Sequence, residues 1–185
     1  MLTSPRSARR SVCGNPGRNA HCGALLVGVL LAPGLAWAEG GAQKPSENRP
    51  ANMVILQERL SHQGMTAIGV YDVEVDATTP GLRRVKVWEE QPNNVVVRVD
   101  TIRCSSAAPM RVSSDGSRFF MRELNPGGPI TAGNRLDHLI WWATCFPEQA
   151  GRDPAGLGPL ARSLGFDGRH PEQFEVLSVP PLPHP

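Results

Sequence analysis

From Met65 to Leu124 the sequence keeps largely to a period of two, and Asn125-Pro126-Gly127-Gly128-Pro129 then stops it. A strand turns successive side chains to opposite faces, so this stretch predicts β-structure rather than helix. Ala67, Tyr71, Val73 and Val75 alternate with Asp72, Glu74 and Asp76, which reads as a half-buried strand with acids on its solvated side. Thr79-Pro80-Gly81 turns the chain. Residues 84–90 then set Val85 and Val87 against Lys86 and Trp88. After the turn Gln91-Pro92-Asn93-Asn94, residues 95–104 set Val95, Val97 and Val99 against Arg98 and Asp100. Ser114-Asp115-Gly116 predicts a hairpin between Arg111-Val112 and 118–124, because Asp-Gly tolerates the positive φ of such turns. Connections this short make the strands antiparallel neighbours.

Helical signals follow the break. Asn134 is placed to cap a helix, with Asp137 three residues later as a variant of the capping box. Leu136, Leu139, Ile140 and Ala143 give its apolar stripe, and Pro147 ends it. Asp153 with Pro154 predicts a second helix that turns Leu157, Leu160, Ala161 and Leu164 inward; Pro159 shortens or kinks it and Gly165 ends it. Residues 173–177 are a candidate last strand. Residues 53–63 fit a helix between Asn52 and Gly64 slightly better than a strand beginning at Val54-Ile55-Leu56. The expected fold is α+β: an antiparallel sheet of four to six strands with two C-terminal helices packed on it, and one disulfide.

The front of the chain reads differently. Residues 24–32 are almost unbroken apolar, preceded by Arg6, Arg9, Arg10 and Arg18 without an acid, and followed by Ala36-Trp37-Ala38. This is the pattern of a secretory signal, with cleavage expected between Ala38 and Glu39. The apolar run is shorter than the roughly 20 residues a spanning helix needs. Arg9-Arg10 is a partial twin-arginine signature; an ordinary leader is the favoured reading. Residues 39–52 are Gly, Pro and polar, a flexible linker; 53–178 form the single domain; 179–185 are a proline-rich disordered tail.

Taking the leader's four arginines from a formal charge of +2 leaves −2, so no basic field draws nucleic acid or anionic lipid. Cys13 and Cys22 depart with the leader. Cys104 and Cys145 remain as one even pair, read as a disulfide in an oxidising compartment. Periplasmic or secreted localisation is expected, with no transmembrane segment in the mature chain.

Chemistry-bearing residues concentrate in Asp137-His138-Leu139-Ile140-Trp141-Trp142-Ala143-Thr144-Cys145. On a helix His138, Trp142 and Cys145 share one side, and Trp141 lies about 100° away. One indole is expected to pack on the sheet and the other to lie at a surface or groove. That would give a binding face of Trp141, Trp142, His138, Asp137 and Arg135, with a rim over 125–135. The arginines 98, 103, 111, 118, 122 and 135 read as a mixed ionic surface. No G-x-S-x-G, C-x-x-C-H or four-ligand zinc pattern occurs, and Gly127-Gly128 lacks the Lys-Ser/Thr ending of a phosphate loop. The expected function is therefore a non-catalytic binding module for an envelope protein or cell-wall component, without cofactor. A small envelope hydrolase using His138 or His62 with a carboxylate is the alternative, and a metal or haem carrier a weaker one.

Overall fold

The computed structural model describes residues 45–178, so the leader with its Ala38–Glu39 junction and the tail 179–185 lie outside the described residues. The alternating sequence builds one antiparallel sheet whose strands are neighbours in chain order: β1 (Val54–Ser61), β2 (Gly64–Val75), β3 (Leu82–Gln91), β4 (Asn94–Arg103), β5 (Met110–Ser114), β6 (Arg118–Glu123) and β7 (Phe174–Ser178). Among the described residues seven strands replace the expected four to six, because Val54–Ser61 within 53–63 is a strand and not a helix. Its apolar side chains repay pairing with β2, as in Val54 with Val70 and Leu60 with Met65. The helices are not C-terminal. Helix α1 (Arg135–Cys145) and the short α2 (Gly158–Ser163) lie between β6 and β7, and the chain then returns to pair β7 with β6.

Turn chemistry fixes the registers. Asp115 ties the β5–β6 hairpin, its carboxylate accepting from the Ser117 and Arg118 amides at 2.9 and 2.8 Å. Gly116 follows at φ 92°, as the Asp-Gly signal required. In β2 a register shift between Tyr71 and Glu74 reverses the phase of the strand. Asp72 sits there at φ 50°, held by Asn52 Nδ2 and Lys86 Nζ, each at 2.9 Å. Ala67 and Tyr71 consequently share one face of the sheet while Val75 lies on the other.

Helix α1 crosses the face carrying Val70, Val85, Val87 and Ile102, all buried with Leu139 and Ile140 in one core. A side chain of that size contributes about 2–3 kcal/mol when fully buried. In β4 the covered face is the one holding Asp100 and Ile102, while Val97 and Val99 are left exposed on the open face. The segment 154–166 lays a third layer on α1 through Leu157, Ala161 and Phe166. Asp153 caps a single 3-10 turn at Pro154–Gly156, and Pro159 falls in the first turn of α2, so the expected second helix is split. Cys104, just after β4, is bonded to Cys145 at the end of α1.

The described part of the expected flexible lead-in is anchored. A 3-10 turn spans Pro45–Asn48, and Arg49 closes on Glu90 with Nε at 2.7 Å and Nη2 at 3.0 Å. Glu90 is itself buried on the open face beside Trp88, whose indole N–H donates to it at 3.2 Å. The polar composition concealed this, because the group the lead-in seeks is a buried carboxylate and not an apolar surface.

Candidate functional site

Where β6 runs into 124–134, the chain needs many polar partners, because Asn125 and Asn134 are both buried. They find them in the segment that leads into β7. Asn125 Nδ2 donates to the His170 carbonyl at 2.6 Å, and the Asn125 amide donates to Glu172 Oε1 at 3.2 Å. Asn134 Nδ2 donates to Glu172 Oε2 at 2.9 Å, while its Oδ1 accepts from the Thr131 amide at 2.7 Å. Asn134 stands at the N-cap position of α1, but its side chain makes no cap hydrogen bond. It is spent on the loop instead, which corrects the expected capping box. Gly127 and Gly168 bring the two loops together. A Cβ at Gly127 would come within 2.9 Å of the Phe166 carbonyl, and one at Gly168 within 2.5 Å of the Gly127 carbonyl. Only glycine permits that approach.

The two loops wall a groove of about 630 Å³, lined among others by Arg122, Pro129, Thr131, Asn134, His170 and Glu172. Glu172 of that lining is backed by His138, whose Nε2 lies 2.5 Å from Glu172 Oε1. His138 is fully buried and its Nδ1 has no partner among the described residues. Burial is the largest single influence on the Glu172 carboxyl and pushes it upward. Hydrogen bonds from His138, Asn134 and Asn125 with the His138 charge outweigh it, holding the group below its ordinary value.

A chain of alternating charge runs from Arg122 in the groove lining into the core. Arg122 Nε meets Asp137 Oδ2 at 2.8 Å, and Arg111 Nη1 meets Asp137 Oδ1 at 2.6 Å. Arg111 then grips Asp100 Oδ2 with Nε at 2.8 Å and Nη2 at 2.7 Å. Asp100 is wholly buried, and desolvation raises its carboxyl above the ordinary value despite Arg111. Asp137, expected to serve the helix cap, is thus the hinge of an ionic chain.

Of the residues expected to form a binding face, none lines the groove: Asp137 reaches it only through its pair with Arg122, and Arg135 is paired to Asp153 at 2.7 Å. The tryptophans do not lie there. Trp141 is 0% and Trp142 1% exposed, correcting the expectation that one indole reaches a surface. The reason is the third layer: α1 is covered on two sides, so side chains 100° apart both find a core. Trp141 packs edge-on against Phe166 with centroids 5.2 Å apart, and its Nε1 donates to the Arg103 carbonyl at 2.9 Å. The arginines read as a mixed ionic surface do pair with acids, Arg98 with Glu89 and Arg118 with Asp115, but Arg111 is internal. Sequence reasoning passed over Glu172, Asp100 and Arg111 as site members. The available signal was Asp100 standing in phase with Ile102 on β4.

Among the described residues no group of three or more His, Cys, Asp or Glu side chains is arranged to hold a metal ion. Among them, too, no helix is long and apolar enough to cross a membrane. No family model, curated protein or solved structure matches this chain.

Proposed function

We propose that the chain is an exported, non-catalytic binding module that contacts an envelope protein or cell-wall component through the groove at the N-terminal end of α1. The observation that carries this reading is the groove itself. Its walls are two glycine-locked loops, and its polar groups are held in place by one another rather than left free to react. Such pre-set polar positions in a concave site suit recognition. The leader pattern and the Cys104–Cys145 bond support delivery to an oxidising compartment.

One observation favours the hydrolase reading: His138 and Glu172 are within hydrogen-bond reach. Against it, His138 presents no surface to a substrate, and Thr131 Oγ1 at the rim is engaged with Asn134 Oδ1 at 3.2 Å. The binding reading is therefore preferred.

The test is affinity capture from the native envelope with the protein, Thr131→Arg in the groove and Val99→Lys on the open sheet face. Loss of a captured component in Thr131→Arg alone, with folding unchanged, supports the groove. Equal capture by all three, or none by the unaltered protein, removes the proposal. Intact mass of the exported protein tests the leader: a chain beginning at Glu39 is expected.

A further inference from the structure

We infer that β7 is a self-pairing edge, and that its occupant is β7 of a second copy of this chain. Among the described residues β7 is the terminal strand of the sheet, and all five of its residues are exposed. Phe174, Val176 and Leu177 are 55%, 44% and 43% exposed, a large apolar content for an edge facing solvent. The opposite edge, β1, is blunted by its irregularity between Ile55 and Gln57 and by exposed Glu58 and Arg59. β7 has neither a bulge nor a basic side chain to discourage pairing.

The backbone phase selects a register. The Gln173 carbonyl accepts from the Glu123 amide at 2.9 Å, so the backbone groups of 173, 175 and 177 turn toward β6. Those of Phe174, Val176 and Ser178 turn outward. An antiparallel pair related by a two-fold axis through the sheet must centre on one residue. Centring on Glu175 would set two carboxylates directly opposite each other, which is destabilising. Centring on Leu177 would leave Phe174 and Glu175 without partners inside the strand, which ends at Ser178. Centring on Val176 avoids both: Phe174 faces Ser178 of the second copy, Glu175 faces Leu177, and Val176 faces its own equivalent. In that register all outward N–H and C=O groups are paired. Because Phe120, Phe174 and Val176 share the face that carries α1, the two copies also join their apolar rows on that face.

A single short strand per copy makes an interface at the small end of the specific range, so association is expected to depend on concentration. The test is sedimentation of the protein as its host delivers it, across a concentration series, beside Val176→Pro and Val176→Lys. The 176 amide points away from β6, so proline there spares the β6–β7 ladder. Val176→Cys is the second measurement, because the paired α-carbons would lie about 5.5 Å apart, within disulfide range. A reversible dimer that both variants abolish with circular dichroism unchanged, together with a 176–176 cross-link, is the expected result. A monomer at all concentrations, a dimer surviving either folded variant, or no cross-link overturns it. If the proline and lysine variants both fail to fold, presence or absence of the cross-link decides.

Discussion

Arg111 grips Asp100 through two of its nitrogens, and both residues are buried at the heart of the helix–sheet interface. The pair sits where valine and isoleucine would be expected. Asp100 Oδ1 has no partner among the described residues. Such a pair is costly to desolvate, yet costlier still to break. Arg111→Ala is expected to lower stability by about 3–5 kcal/mol, because it strands a buried carboxylate. The double replacement Asp100→Leu with Arg111→Met should recover most of that loss. Urea unfolding of the three proteins checks both statements.

Glu172 gives stability a defined pH dependence. Its carboxyl titrates below the ordinary value of 4.5 in the folded chain. A depressed acid stabilises at pH above its unfolded value, and the contribution is lost as pH falls through the folded one. Glu90, held down chiefly by its hydrogen bonds from Arg49, behaves the same way. Asp100 opposes them: its raised value favours the protonated form, a contribution present at low pH and lost as pH rises through the folded value. Stability should therefore fall on acidification below about pH 4.5, the ordinary glutamate value. Glu172→Gln should flatten that part of the curve, measured by denaturant midpoints across an acid series.

The two indoles differ in a way that phenylalanine exposes. Trp141 donates to the Arg103 carbonyl, whereas Trp142 Nε1 has no partner among the described residues. Trp141→Phe is expected to cost about 1 kcal/mol more than Trp142→Phe, the worth of one hydrogen bond. Either change to alanine should cost about 3–5 kcal/mol from the cavity it opens. Thermal and urea unfolding report these differences.

Cys104 and Cys145 close a loop across 41 positions of sequence. Replacing both by serine is expected to remove about 4 kcal/mol by the chain-entropy account. The loss should appear as a lower unfolding midpoint, and unaltered protein under reducing conditions should reproduce most of it.

The sheet was largely legible because turn chemistry and alternation agreed. Pro92-Asn93 and Asp115-Gly116 mark turns that the structure contains, and the strands between them pair as neighbours. Residues 53–63 misled because their apolar positions satisfy both periods, and only pairing with β2 decides between them. Val95, Val97 and Val99 misled in another way. Hydrophobicity marked them as a face, but the helix covers the face of Asp100 and Ile102, where an arginine from β5 makes the charge tolerable. The candidate site was hidden for the same reason. Glu172 meets His138 only because the chain leaves the sheet at Leu124 and returns at Phe174, a tertiary closure that no local pattern encodes.

That excursion also sets an order of events for a chain that emerges from its front end. The border of β6 stays bare until everything from Asn125 to Gln173 has emerged and β7 can reach it. Cys104 likewise waits for Cys145, so its thiol is open to mispairing partners during that interval. Any helper that shields strands or shuffles thiols would therefore act on this chain late in its folding, when the sheet is nearly built but not yet closed.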